Sequence, residues 1–230
     1  MTAAVPVAVP RTPARPRRAA FFDVDRTLIS GHSMVALWRR WTAAGPAFPG
    51  RELPTAAAGV PREELNRAYY RLFAGESAAL LRRVGADWCE AYRRTPGAFL
   101  PDSLAALRGH LAQGHLVVLV SGSLRACLDP LAAGLGAHAV LCTEQLVDAE
   151  GRLTGEVVRP MIGAAKAEAA LGLMRRLGLD PAQCHGYGDH ASDLPMLRAV
   201  GHPVVVGDDP VLAERAAALG WPVLPGARND

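Results

Sequence analysis

Lysine is almost missing from this sequence. Of its 25 Lys and Arg residues, 24 are arginine, and Lys166 stands alone. A chain that accepts arginine everywhere else keeps, at 166, a compact point charge on a flexible stem where a planar fork is too bulky. Excess charge of one sign is lacking too. The formal net charge is +3, and Arg11, Arg15, Arg17 and Arg18 more than account for it. The rest of the chain is near neutral, which excludes the broad basic face that non-specific nucleic-acid binding needs. Paired cysteines are absent: Cys89, Cys127, Cys142 and Cys184 stand far apart with no C-x-x-C. That excludes a disulfide scaffold and reads as reduced thiols in a cytoplasmic protein. The longest purely aliphatic run, residues 116–120, falls far short of the roughly 18 residues that a membrane span requires, so no membrane anchor is expected.

Residues 1–18 carry their positive charges after a short apolar stretch and are broken by Pro6, Pro10, Pro13 and Pro16. This is the reverse of a secretory signal and predicts a disordered leader. There is no internal repeat and no further low-complexity segment. Aromatic residues make up only 6 % of the chain, and most of its Trp and Tyr crowd into residues 33–95.

What is present is apolar bulk. Half of the 230 residues are hydrophobic, ample for one compact core with an elaboration. Buried strands are predicted at 19–25, 116–121 and 184–189, each an apolar run ending in a polar residue. Helical patterns follow at 103–113 closed by Gly114, 124–133 closed by Gly134, 164–177 closed by Gly178 and 194–200 closed by Gly201. A strand at 203–206, a helix at 210–219 and a short strand at 222–224 complete the series, while 142–159 alternates like a hairpin turning at 149–151. Strand and helix in alternation predict an α/β fold with a parallel, Rossmann-like sheet. Ligands gather at the carboxyl ends of such strands, so Asp23, Asp25, Ser121 and Asp189 are expected around one crevice.

Residues 33–95 have a different texture, with helices predicted at 34–44, 62–74 and 77–94. We read a disordered leader at 1–18, an α/β core formed by 19–32 and 96–230, and an inserted helical domain at 33–95. Trp38, Trp41, Trp88, Tyr69, Tyr70 and Tyr92 give that insertion bulk for a core of its own. The alternative is that one or two of them face a substrate.

The stretch Phe21-Phe22-Asp23-Val24-Asp25-Arg26-Thr27-Leu28 sets two carboxylates two residues apart at a strand end, and strict alternation would put both on one face. One carboxylate can stay ionised as a nucleophile while its neighbour holds a proton for a leaving oxygen. Attack of a carboxylate on phosphorus makes an acyl phosphate and splits one hard hydrolysis into two easier steps. Other readings exist for the remaining polar residues. Ser121 could cap the helix that follows it, Asp189 and Asp193 could cap a helix start, and His190 could be a surface histidine.

From residue 19 to 224 the sequence resembles the haloacid dehalogenase superfamily of phosphohydrolases, in the branch that includes phosphoserine phosphatases. The D-x-D-x-T-L signature is carried by Asp23, Asp25, Thr27 and Leu28, the second motif by Ser121, the third by Lys166, and G-D-x-x-x-D by Gly188, Asp189 and Asp193. The resemblance implies Asp23 as nucleophile, Asp25 as general acid and then base, and Ser121 and Lys166 on the transferring phosphoryl group. It also implies Mg²⁺ held by the Asp23 carboxylate, the Asp25 main-chain carbonyl and the Asp189 carboxylate, with Asp193 in support. Residues 33–95 fall where family members carry a helical cap over the active site. The partner expected is a small phosphate ester, with no nucleic acid and no membrane.

Two departures from the family pattern bear on substrate. Arg26 stands where a small residue is usual, and His32 occupies the place where phosphoserine phosphatases carry a glutamate for the substrate amino group. A hydroxyl-rich or anionic substrate, such as a sugar phosphate or an intermediate of antibiotic biosynthesis, is therefore expected before phosphoserine. Two rival readings use the same residues: a phosphotransferase or phosphomutase that passes the group to another acceptor, and a non-catalytic protein that binds a phosphorylated ligand.

Overall fold

The computed structural model describes residues 17–44, 51–54 and 59–227. All but the last two residues of the expected leader therefore lie outside the described residues. The chain enters on β1 (Ala19–Phe22) and passes through α1 (Ser33–Ala44), α2 (Arg62–Arg71) and α3 (Ala78–Arg93). It then alternates through α4 (Pro101–Ala112), β2 (Leu116–Ser121), α5 (Arg125–Leu135) and β3 (Ala139–Cys142). An antiparallel hairpin of β4 (Gln145–Val147) and β5 (Leu153–Val157) interrupts the series. The alternation resumes with α6 (Ala164–Leu177), β6 (His185–Gly188), α7 (Leu194–Arg198), β7 (His202–Val206), α8 (Pro210–Leu219) and β8 (Val223–Leu224).

Six strands lie parallel in the order β3-β2-β1-β6-β7-β8. The chain builds outward from β1 to β3 on one side, then crosses to β6 and builds outward on the other. The switch point therefore sits beside β1, where an open α/β sheet forms its crevice. Every residue of β1 and β2 is buried, as strands covered on both faces must be. Alternation sorts their side chains. Ala20, Phe22, Val117 and Leu119 pack with Cys127, Leu128 and Leu131 of α5, whereas Ala19, Phe21, Val118 and Val120 pack with Ala170, Leu173 and Met174 of α6.

The aromatics of α1–α3 belong to the first of these two layers. Trp38 and Trp41 meet the edge of Phe73 at 5.5 and 5.6 Å, and the apolar cluster runs unbroken from these rings to Phe22 on the sheet. Helix α3 lies so close to α5 that a Cβ on Gly85 would run into the Ala126 backbone. The Trp and Tyr side chains of this segment are packing residues, and none of them lines the cavity described below.

Three local expectations are corrected. Strand β1 ends at Phe22 rather than Asp25, because the Val24 carbonyl accepts the amides of Thr27, Leu28 and Ile29 and bends the chain into a tight loop. Arg26, in that loop, is the one non-glycine among the described residues with a left-handed backbone, at φ 60°. Helix α5 is closed by Gly136 at φ 78°, not by Gly134. Gly134 stays inside the helix, where the Arg93 guanidinium occupies the space that a Cβ would take. Helix α7 stops at Arg198, short of residue 200. All four cysteines are buried free thiols. No helix among the described residues is long and apolar enough to cross a membrane.

Candidate active site

Asp23 is the first residue beyond β1, and its amide donates to the Tyr187 carbonyl of β6 at 2.9 Å, which fixes it at the switch point. The residue is only 5 % exposed. One oxygen, Oδ1, accepts from Lys166 Nζ at 2.5 Å, and the other accepts from Thr27 Oγ1 at 3.1 Å. Lys166 projects from the first turn of α6 and is itself 4 % exposed. It bridges Asp23 to Asp193, whose Oδ1 lies 2.6 Å from Nζ. Burial alone would push this ammonium down, but Asp193 and Asp23 more than offset it and hold Lys166 above its ordinary value. Asp193 packs against Gly188, where a Cβ would stand 2.6 Å from the Asp193 Cβ. That crowding explains glycine at the start of the G-D-x-x-x-D run.

Asp25 has different surroundings. The loop, not strand alternation, carries it back to the crevice, and its Oδ1 accepts the Ser33 amide at 3.0 Å. Burial pushes its carboxyl up to about 6, opposed by hydrogen bonds from Ser33 and assisted by repulsion from Asp23. Ser33 begins α1, and its hydroxyl donates to Ser123 Oγ at 2.7 Å, tying the helical segment to the loop after β2. Ser121 closes β2, and its Oγ accepts the Ser123 amide at 3.1 Å. Helix α5 has Leu124 at its N-cap and no side-chain cap, so Ser121 is not a capping residue.

Asp23, Asp25, Ser121, Lys166, Asp189 and Asp193 all line one cavity of about 270 Å³. The structure thus brings together every site residue expected from sequence. It adds others. Thr27 Oγ1 stands between two carboxylates, 3.1 Å from Asp23 Oδ2 and 3.2 Å from Asp189 Oδ1. Asn66 of α2 donates to the Gly122 carbonyl at 2.8 Å and accepts from Thr143 Oγ1 at 3.4 Å. Arg62, one turn earlier on the same face, reaches the cavity with it. That i, i+4 pair on a helix expected to cover the site was a readable signal. His190 is not a free surface ring: its Nδ1 accepts the Ser192 amide at 3.0 Å and its own amide donates to Asp193 at 3.3 Å.

The cavity carries basic and acidic groups together. Arg26, His32 and Arg62 line it. Burial and then the charges of Arg26 and Arg62 push the His32 imidazole down, against the pull of Asp23. The acidic groups are clustered. Carboxylate oxygens of Asp23, Asp189 and Asp193 lie within 4.8 Å of one another. Burial first, then Asp23 and Asp193, push Asp189 well above the usual carboxylate range. Asp193 is also raised by burial, against the pull of Lys166. Three carboxylates facing one ammonium leave uncompensated negative charge in a desolvated place, and the donors are all hard oxygens. This set fits a divalent cation of the Mg²⁺ and Ca²⁺ type.

Comparison with known proteins agrees with this arrangement. The chain is 33 % identical over 217 residues to a Streptomyces azureus protein named for inhibition of morphological differentiation, covering 91 % of this chain and 78 % of that one. It is 33 % identical over 233 residues to a probable phosphatase of Mycobacterium tuberculosis, covering 95 % and 80 % of the two chains. Among solved structures, a Bordetella pertussis protein of unknown function is 27 % identical, with a TM-score of 0.72 over 91 % of this chain and 98 % of its own. An apo phosphoserine phosphatase shares the fold at 18 % identity, with a TM-score of 0.63 over 93 % and 95 % of the two chains. The family model for haloacid dehalogenase-like hydrolases matches residues 20–198, a span that holds every motif residue gathered at the sheet's carboxyl edge, and the chain belongs to that family.

Proposed function

We propose that this phosphatase of the haloacid dehalogenase-like family hydrolyses a small phosphomonoester bearing hydroxyl or further anionic groups, through a phosphoryl group held covalently on Asp23. The observation that carries the reading is the contrast between two neighbouring carboxyls. Asp23 is ion-paired with Lys166, whereas Asp25 is pushed up to about 6 and can hold a proton near neutrality. The Asp23 carboxylate attacks phosphorus, the ester P–O bond breaks, and Asp25 gives its proton to the departing oxygen. Asp25, now ionised, takes a proton from water as that water attacks phosphorus, and the bond to Asp23 breaks to release phosphate. Ser121 donates to a phosphoryl oxygen while Lys166 offsets the charge that collects on the group. Mg²⁺ would be held by Asp23, Asp189 and the Asp25 carbonyl with Asp193 in support, and when bound it would supply the positive charge that lets an anionic nucleophile approach an anionic ester.

We read residues 33–95 as the cap of this site, since Met34, Arg62 and Asn66 from α1 and α2 line the cavity together with the carboxylates. A small cavity walled in part by these helices favours soluble metabolites over phosphoproteins. Arg26, Arg62 and His32 disfavour a substrate ammonium and favour hydroxyls or a second anion. Buried reduced thiols accord with a cytoplasmic enzyme. The direct test is phosphate release from sugar phosphates, phosphorylated aminocyclitols and phosphoserine, with Mg²⁺ and with chelator. Chelator-sensitive release from one or two polyol or dianionic esters, with phosphoserine a poor substrate, is the expected result. Ester consumed only with an added alcohol present, with the phosphate recovered on that alcohol and none free in solution, would make the enzyme a phosphotransferase. No release from any ester would remove the hydrolytic reading.

The acid role of Asp25 has its own test. Its raised value means that protonation is lost as pH rises through about 6, so kcat/KM for an alkyl phosphate should fall across that range. Asp25→Asn should cost about 10²–10⁴-fold with an alkyl phosphate, and far less with an aryl phosphate whose leaving group needs no proton. Equal losses on both esters would take the proton transfer away from Asp25.

A further inference from the structure

The opposite end of the same sheet holds a second group of ligating side chains. Strands β1, β2 and β6 are parallel neighbours, so their amino ends meet about 13 Å from Asp23, at roughly 3.3 Å per residue along β1. His115 immediately precedes β2, His185 begins β6, and His110 rises from the last turn of α4. One ring nitrogen from each lies within 4.8 Å of the other two. His110 and His115 are 6 % and 8 % exposed, His185 is half-buried and reachable from solvent, and His202 stacks on its outer face at 4.6 Å.

We propose that His110, His115 and His185 bind one divalent ion of the zinc and cobalt class, in a structural site separate from the carboxylate cluster. Three features favour an ion over a merely packed group. The donors are imidazole nitrogens, which suit Zn²⁺ and Co²⁺ and not Mg²⁺. The rings are kept neutral, with their lone pairs available: burial first, then neighbouring histidines, push His110 and His185 down to about 4. One ligand is also oriented from behind. His110 Nε2 pairs with the Tyr187 hydroxyl at 2.9 Å, which leaves Nδ1 facing the cluster, as an outer partner does for a metal-bound histidine.

The pair His110 Nδ1 and His115 Nδ1 lies 2.8 Å apart and shares a proton. Coordination needs that ring to shift its proton to the other nitrogen and the pair to open by about 0.5 Å, the spacing of two tetrahedral ligands at roughly 2.05 Å. No net proton is released from neutral rings. Among the described residues, Arg18 is a fixed charge that opposes an ion here; it leads into β1 and lowers both His115 and His185. It is exposed, so water screens it. The ion would join β2, β6 and α4 around β1 and would raise stability.

The test uses untagged full-length protein in excess Mg²⁺, titrated with Co²⁺ and followed by visible absorption. One equivalent is expected to give the intense d–d bands of a tetrahedral nitrogen site, and Zn²⁺ should abolish them and raise Tm. The bands should persist in Asp189→Asn and be lost in both His115→Gln and His185→Gln, with affinity weakened at least about 100-fold. Circular dichroism and Mg²⁺-dependent turnover of the two histidine variants establish that they are folded. Absence of the bands in the wild type, their loss in Asp189→Asn, or their survival in both folded histidine variants would overturn the proposal.

Discussion

Asp23→Asn is expected to lose turnover by at least about 10⁴-fold, the scale of removing a nucleophile whose partners cannot act without it, while keeping the fold. The amide is nearly isosteric and remains within reach of Thr27 Oγ1 and Lys166 Nζ, which stand 3.1 and 2.5 Å from the two carboxylate oxygens. Lys166 keeps Asp193 at 2.6 Å, so no buried ammonium is left without a partner. Removing one of three clustered carboxylates also relieves Asp189, which Asp23 helps to hold above its ordinary value. Stability without metal should therefore hold or rise slightly as activity disappears, the usual trade at a site built from repelling charges. Acid-quenched protein from steady-state turnover should carry one added phosphoryl group in the wild type and none in the variant. A variant that turns over like the wild type would remove Asp23 from the chemistry. A wild type that never carries phosphate would leave direct attack by water as the mechanism.

Much of this site was legible because chemistry constrains residue type more tightly than geometry does. The order Asp23, Asp25, Ser121, Lys166, Asp189, Asp193 survives in sequence since each sits at or just beyond a strand end or at a helix start, where the residue type is set by its task. Lys166 was legible by contrast with 24 arginines. The path of the chain between these points was less so. Alternation carried β1 on to Asp25, but the Val24 carbonyl gathers three amides and ends the strand at Phe22. Nothing in local periodicity announces such a turn. The aromatic texture of residues 33–95 pointed to a core of its own, whereas the rings continue into the layer under Phe22. Period and composition tell which residues are buried, not which neighbour buries them. Thr27 was legible as a motif residue but its pairing with Asp189, 162 residues away, was not, and the same holds for Asn66 with Gly122, 56 residues away. The fold supplies those pairings, although the spacing of Arg62 and Asn66 on one helix face could have been read.

Lys166→Arg should lower kcat by about 10²–10³-fold, the cost of misplacing one charge-stabilising donor, even though the charge is kept. Nζ sits at 2.5 and 2.6 Å from Asp23 and Asp193 in a space only 4 % open. The wider guanidinium must displace Asp193, and Asp193 is already pressed against Gly188. Lys166→Met takes the charge away altogether and leaves two buried carboxylates without their cation, a loss of about 3–5 kcal/mol. The pH dependence distinguishes that cause from lost packing. The wild-type ammonium is held above its ordinary value, so its contribution is fully present throughout the neutral and acid range and is lost only in strong alkali. The carboxylates are what change there. In Lys166→Met, Asp193, already raised by burial against the pull of Lys166, is expected to hold a proton more readily, so the stability deficit should shrink as pH falls from 8 towards 5, and Mg²⁺ should restore part of it at pH 8. Tm measured across that range for the wild type and both variants gives the answer. A Lys166→Met deficit that stays constant with pH and ignores Mg²⁺ would mean that the lysine stem, not its charge, holds this site together, and the single lysine of the chain would need another explanation.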